Sequence, residues 1–71
     1  MAYRASFSNF DEMVFEDGLV IRRIENAGGG ATYSVIAEGV NPDAFMVNEG
    51  AEGEWYEASE EEAAHWLEAV Q

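Results

Sequence analysis

Carboxylates are the side chains of this sequence most able to do chemistry, and they are concentrated in one stretch of the chain. Fifteen acidic residues are present, and seven glutamates fall within residues 49–62, here called the acidic segment. Such side chains can coordinate a hard cation, act as a general acid or base, or bind a basic surface. The seven are Glu49, Glu52, Glu54, Glu57, Glu60, Glu61 and Glu62.

The spacing within the acidic segment does not match a calcium loop. An EF-hand loop needs oxygen-bearing side chains at its first, third and fifth places and a glutamate at its twelfth. A loop that began at Asn48 would have Gly50 at the third place and Ser59 at the twelfth. Carboxylate pairs of the glycosidase type need a substrate cleft, which 71 residues can hardly build. We therefore expect no metal, cofactor or catalytic residue; a very small metal-dependent or hydrolytic enzyme is a remote alternative.

His65 and Ser59 could serve a reaction, but their neighbours favour structural roles. His65 lies four residues after Glu61 and three before Glu68, so a helix would place it on an exposed face, outside any cleft. Ser59 precedes Glu62 by three residues, the spacing of a helix capping box. The chain has no cysteine, which excludes disulfides, thiolate zinc sites and thiol nucleophiles.

The charge of the chain narrows the class of partner. Three arginines and no lysine accompany the fifteen acids, so the net charge is −12 at pH 7. A direct nucleic-acid binder needs basic residues to neutralise phosphates, and an anionic membrane would repel this chain. Residues 1–37 hold five acids and three arginines, a net of −2, whereas residues 38–71 hold ten acids and no base, a net of −10.

Arg22 and Arg23 are adjacent on a predicted strand and should point to opposite faces. One of them should lie near the core or the helix and pair with an acid from the C-terminal half. Internal charge balance is the favoured interpretation, and an arginine clamp on a partner is the alternative.

The elements that position these residues begin with predicted strands. Residues 3–8 alternate apolar and polar, as a half-buried strand does. Residues 13–16 and 19–21 flank Asp17-Gly18, a dipeptide that favours a type I′ hairpin turn. A helix over residues 9–17 is the competing interpretation.

A second hairpin is predicted from residues 19–25 and 31–38, joined by the glycine-rich loop 26–30. The three consecutive glycines of that loop lack the Lys-Ser/Thr pair of a P-loop, so we interpret them as a flexible hairpin tip and not as a phosphate site. Residues 41–43 (Asn-Pro-Asp) predict either a turn or the start of a short helix.

Two further strands and a helix complete the prediction. Residues 45–47 are a candidate strand, and residues 54–57 a candidate edge strand. Residues 59–70 predict a C-terminal helix, capped by Ser59 and carrying glutamates in its first turn, where the helix dipole favours negative charge. Its apolar stripe, which should lie on one face of the sheet, is Ala63, Trp66, Leu67 and Val70.

Together these elements predict one α+β domain over residues 1–71. We expect a small antiparallel β-meander of about four to six short strands packed against the C-terminal amphipathic helix, with sheet edges blunted by charge. Four Phe, three Tyr and two Trp argue against a disordered acidic tail. No apolar run approaches the roughly 20 residues of a membrane helix, and no signal peptide is evident, so we expect a cytoplasmic protein.

The function that the acidic segment favours is binding to a basic surface of another protein. A concentrated negative patch steers such a partner and raises the association rate. Trp55 and Tyr56 could add an aromatic anchor, although core packing is the simpler role for Trp55. The expected binding residues are Glu49, Glu52, Glu54, Trp55, Tyr56, Glu57, Glu60 and Glu61.

In size, charge, lack of cysteine and lack of catalytic motifs, the chain resembles the small acidic inhibitors encoded by phages, namely anti-CRISPR proteins and anti-restriction DNA mimics. The resemblance covers whole-chain properties and the acidic segment, and no family motif. It implies a stoichiometric inhibitor that occupies the nucleic-acid-binding surface of an effector complex. The alternative is an accessory or structural protein whose acidic surface serves solubility or halophilic adaptation.

Overall fold

Five strands and two helices form the part of the chain that the structure describes. This computed structural model describes residues 6–50 and 53–71. The fold is α+β, as predicted; residues 3–5 of the first predicted strand lie outside the described part. The elements are β1 (Ser6–Ser8), β2 (Glu12–Val14), β3 (Val20–Glu25), β4 (Ala31–Ala37), α1 (Pro42–Asn48), β5 (Tyr56–Ala58) and α2 (Glu60–Ala69).

All neighbouring strands are antiparallel, and their order across the sheet is β4-β3-β2-β1-β5. The first four strands form the predicted meander. The fifth does not continue it, because the chain crosses the sheet after β4 and returns to pair with β1. The predicted edge strand therefore exists, although it begins at Tyr56 and not at Glu54.

The two edges of the sheet differ in charge. β5 carries Glu57, as expected of a protected edge. β4 is seven residues long, and its sequence Ala-Thr-Tyr-Ser-Val-Ile-Ala contains no charged side chain. The expectation that charge blunts both edges is therefore wrong for β4, since small polar and β-branched residues occupy the positions where charges were expected.

The β2–β3 hairpin is confirmed, but its turn is not of type I′. The N–H of Gly18 donates to the carbonyl of Phe15 at 2.9 Å, so Glu16 and Asp17 are the central turn residues. Gly18 follows them with a φ of 94°, and no described non-glycine residue has a positive φ, which a type I′ turn would require of Asp17. The competing helix over residues 9–17 is wrong, because β2 lies within it.

Asn9 organises the tight connection between β1 and β2. Its side-chain Oδ1 accepts the N–H groups of Asp11 at 2.9 Å and of Glu12 at 2.8 Å. Its own N–H donates to the carbonyl of Glu12 at 3.0 Å, which leaves only Phe10 and Asp11 in the loop. This turn fixes the register between β1 and β2, in which Ser8 lies opposite Met13.

Helices cover both faces of the sheet, so β2 and the start of β3 are buried on two sides. On one face, Met13 and Ile21 pack with Phe15 and with Ala63 and Trp66 of α2. On the other face, strand alternation places a second cluster beneath α1. Its buried members are Val14, Val20 and Phe45, with Ala37, Val40, Met46 and Trp55 packed around them.

The predicted strand over residues 45–47 is wrong, because these residues belong to α1. Asn41 caps this helix: its side chain accepts the N–H of Ala44 at 3.2 Å, and Pro42 occupies the first helical position. The alternative of a short helix starting in the Asn-Pro-Asp sequence is therefore correct. An apolar run of three residues fits a strand or a helix equally well, and here the cap decides.

The C-terminal helix is confirmed with its predicted cap. The Oγ of Ser59 accepts the N–H of Glu62 at 3.1 Å, and Ala63 and Trp66 are buried against the sheet. The ring of Trp66 meets that of Tyr33 from β4 edge-on, with centroids 5.1 Å apart. In the described part of the chain, no helix has the length and apolar character needed to cross a lipid bilayer.

Candidate functional site

Five of the eight predicted binding residues lie at one edge of the sheet, where β5 passes into α2. Glu57 lies on β5, and Glu60 and Glu61 occupy the first turn of α2, separated from β5 only by the cap residue Ser59. All three glutamates are exposed, as is Glu54 in the loop before β5. We call this surface the acidic edge; its residues are Glu54, Tyr56, Glu57, Glu60, Glu61 and Glu62.

Two glutamates of the acidic segment stand apart from this surface. Glu49 caps the C-terminus of α1 and lines a shallow groove with Phe10, Arg22 and Ile24. Glu52 lies outside the described residues. Glu54 lies in the loop before β5 and not on the strand, because β5 starts only at Tyr56.

Alternation along β5 distributes the side chains of the acidic edge over two faces. Ala58 packs into the core beneath α2, and Tyr56 shares its face. The hydroxyl of Tyr56 donates to Oε2 of Glu62 at 3.2 Å, which ties the strand to the first turn of the helix. Glu57 lies opposite Phe7 and points to the other face. Carboxylates therefore lie on both faces of this sheet edge.

Trp55 and Tyr56 have different roles, although they are adjacent. Trp55 is half-buried against the cluster beneath α1. Its ring packs so closely on Gly50 that a Cβ there would lie 2.7 Å from Cζ2 of Trp55. Tyr56 is 49% exposed. Core packing therefore accounts for Trp55, and Tyr56 is the aromatic residue available to a partner.

Both arginines in the described part of the chain are engaged in internal contacts. Arg22 pairs with Glu12, which has 1% side-chain exposure, through Nη2 at 2.8 Å and Nε at 3.2 Å from Oε2. The expected pairing of an arginine with an acid from the C-terminal half is thus wrong, because the β2–β3 register places Glu12 directly opposite. Arg23 donates to the carbonyl of Phe10 and lies 5.5 Å from the ring centroid of Trp66.

The described acids of the C-terminal half consequently have no ion-pair partner among residues 6–50 and 53–71. Within residues 6–50 and 53–71, the ion pair between Arg22 and Glu12 involves none of the acidic-edge carboxylates. Glu62 accepts the hydrogen bond from Tyr56, but a phenol carries no charge with which to balance it.

Glu12 was not predicted as a structural residue, and its only sequence signal was its place beside the apolar pair Met13 and Val14.

The remaining chemically capable side chains do not assemble a reaction centre. His65 is exposed on α2 and meets Tyr33 edge-on at 5.7 Å, with the phenol oxygen 3.4 Å from Nε2. Ser59 is used as the helix cap. Among the described residues, no group of three or more His, Asp or Glu side chains is placed to hold a metal ion.

Comparison of the chain with protein-family models, with curated proteins and with solved structures found no match.

Proposed function

We propose that this protein is a non-enzymatic inhibitor that occupies the basic, nucleic-acid-binding surface of a partner protein or complex in the cytoplasm. The observation that carries the proposal is the acidic edge. It presents exposed carboxylates on one strand and one helix start, while both described arginines are held in contacts elsewhere. A surface of this kind attracts a positive groove and repels nucleic acid.

The backbone of the acidic edge is well suited to hold its charges in fixed positions. Glu60 and Glu61 lie in a capped helix start, where the helix dipole favours their negative charge. The bond from Tyr56 to Glu62 fastens that start to β5, and β5 is paired with β1. Carboxylates on ordered backbone lose less conformational entropy on binding than those on a flexible tail. Tyr56 supplies an exposed aromatic surface beside them.

A solvating acidic surface, for solubility or for life at high salt, is the second candidate. The observation in its favour is that exposed acids also lie on other elements, away from the acidic edge. They include Glu16, Asp17, Glu25, Glu38, Asp43 and Glu68.

The proposal is tested by binding measurements on a panel of purified restriction enzymes and nucleic-acid-guided nucleases. We expect the protein to bind at least one of them, to be displaced by that enzyme's DNA, and to lose affinity steeply as NaCl rises. Replacing Glu57, Glu60 and Glu61 by Gln should lower the affinity by more than tenfold, because it removes three charges from the acidic edge.

The matched control removes the same amount of charge from other places on the surface. Replacing Glu16, Glu25 and Glu68 by Gln also changes the net charge from −12 to −9, but leaves the acidic edge intact. Equal losses in both triple variants would mean that only net charge matters, and would refute a defined binding surface. Absence of binding to every enzyme of the panel would favour the solvating role.

A further inference from the structure

β4 forms the edge of the sheet opposite the acidic edge, and it is the outermost strand in the sheet order. Among the described residues it is bonded to β3 on one side and to no strand on the other. A long edge strand with no charge, no proline and exposed apolar side chains is a template for another strand. Ile24, Val35 and Ile36, three of the exposed large apolar side chains, lie on β4 or on the strand beside it.

The turn hydrogen bonds show which residues of β4 have free backbone groups. The N–H of Asn26 donates to the carbonyl of Gly30, and that of Arg23 donates to the carbonyl of Asp11, beside β2. Bonded and non-bonded pairs alternate along antiparallel strands, so Arg22 bonds toward β4 and pairs there with Ser34. Ala31 and Tyr33 consequently direct their N–H and C=O groups outward, as does the N–H of Val35, while the outward side of Ser34 is a non-bonded position. Beyond Val35 the register with β3 shifts by one residue, because Ile21 lies opposite Val35 and Val20 lies opposite Ala37.

We propose that β4 pairs antiparallel with β4 of a second copy of this chain, about a two-fold axis at Ser34. Residues 33–35 are self-complementary in this register. Tyr33 would face Val35 of the other copy, an aromatic and β-branched pair that stabilises sheets. The register uses the outward backbone groups of Tyr33 and the outward N–H of Val35 on both sides of the axis. The irregularity after Val35 confines the regular pairing to the strand around Ser34.

The distribution of charge also favours a second copy on this edge. β4 and β5 are opposite edges of the sheet, so pairing through β4 leaves both acidic edges at the far ends of a continuous ten-stranded sheet. The nearest acids are Glu38, directly after β4, and Glu25, beside the hairpin end. Their repulsion between copies should weaken at high ionic strength, so salt should strengthen the dimer. Salt should weaken the binding of a basic partner, so the two associations are distinguishable by their salt dependence. The dimer proposal does not rest on the proposed function.

Cysteine crosslinking tests the register directly, because the chain has no cysteine of its own. At the two-fold axis, Ser34 and its copy form a non-bonded pair with Cα atoms about 4.5 Å apart, which is within disulfide reach. We expect Ser34→Cys to form a disulfide-linked dimer rapidly with oxidised glutathione. Thr32→Cys is the matched control, exposed on the same strand face but displaced from its copy by four residues, roughly 13 Å. Equal crosslinking of both variants, or of neither, would overturn the proposal.

Sedimentation measurements on the unmodified chain provide an independent readout. The dimer fraction should rise with protein concentration and with NaCl. Val35→Glu should weaken association by about tenfold or more, whereas Val47→Glu should leave it unchanged, because Val47 is 82% exposed on α1 and away from the edge. Circular dichroism confirms that each variant is folded. A chain that stays monomeric at high protein and salt concentrations would refute the dimer.

Discussion

Glu12 is a carboxylate with almost no contact with water, and Arg22 is what makes this position tolerable. A buried charge is costly unless it is paired and hydrogen-bonded. Arg22 supplies two N–H donors to one carboxylate oxygen, and 47% of its side chain stays exposed, so the pair is only partly removed from solvent. Solvent around the exposed part of Arg22 screens the attraction between the two charges.

The pairing also shows what the sequence could not predict at the scale of residues. The sequence does predict that the charge of an arginine on β3 is balanced within the protein, because that arginine lies on a strand of a small sheet. The identity of its partner depends on the strand register, and a one-residue slip would turn every side chain of β2 to the other face. The register between β2 and β3 is fixed by their own turn, in which the N–H of Phe15 donates to the carbonyl of Leu19 at 2.8 Å. The apolar pattern does not indicate this three-residue turn, and the expected type I′ turn would give a different register.

Trp66 is the residue on which the α2 face depends most. It is buried among Met13 and Ile21, meets Tyr33 edge-on, and has the Arg23 guanidinium over its ring. Trp66→Ala should therefore lower the free energy of unfolding by about 3–5 kcal/mol, which would unfold much of a small domain. Denaturant melts monitored by circular dichroism measure the loss.

Phe10→Ala is the matched control for this prediction. Phe10 is 84% exposed at the tip of the β1–β2 loop, so its removal should change the free energy of unfolding by less than about 0.5 kcal/mol. A loss below about 1 kcal/mol for Trp66→Ala would contradict the packing described for α2.

Two of the elements illustrate where local patterns suffice and where they do not. α2 carries every local signal of a helix, with a cap, acids in the first turn and an apolar stripe, and it forms as predicted. α1 has only seven residues, and its apolar run by itself would fit a strand. The apolar side chains of Val14 and Val20 on the second face of the sheet need an element to cover them. The strand sequences alone do not show this, because the face forms only when the strands pair.

Gly18 joins the β2–β3 turn to the segment that leads into α1, and its substitution tests that contact. A Cβ at Gly18 would lie 2.6 Å from the carbonyl oxygen of Val40, whose N–H donates to the carbonyl of Gly18. Gly18→Ala would therefore add a backbone collision to the strain of a positive φ. We expect a loss of unfolding free energy of at least about 2 kcal/mol.

Gly29→Ala separates the collision from the strain. Gly29 has nearly the same φ, 97° against 94°, but a Cβ added there would meet no other atom within 4 Å. Its substitution should cost only about 1 kcal/mol, the conformational part of the effect. Comparable losses for the two alanine variants in the same denaturant melts would mean that the turn does not press against the α1 segment.

At the scale of the whole molecule, the sequence predicted which half of the chain carries the negative charge, but not how those charges are arranged in space. The low net charge of residues 1–37 corresponds to a sheet in which Arg22 and Arg23 have internal contacts. Glu54, Glu57, Glu60, Glu61 and Glu62 lie together beside β5 and the start of α2, whereas Glu38, Asp43 and Glu49 lie elsewhere. The sequence favours core packing for Trp55, but the contacts that form this packing depend on α1 and on the absence of a side chain at Gly50, which the sequence does not indicate.

The net charge of the chain predicts how the melting temperature of the free protein depends on salt. Twelve uncompensated charges lie within a body of 34 × 29 × 20 Å, so at low salt they repel across the whole molecule. The Debye length falls from about 30 Å at 0.01 M to about 10 Å at 0.1 M salt. The melting temperature should therefore rise with NaCl over this range and change little above it, while the chain stays folded throughout. The variant with Glu57, Glu60 and Glu61 replaced by Gln should show a smaller rise in melting temperature, since three charges are removed. The measurements use dilute samples, so that any dimer is dissociated. A chain that unfolds at about 0.01 M NaCl and needs molar salt to fold would contradict this expectation and favour halophilic adaptation.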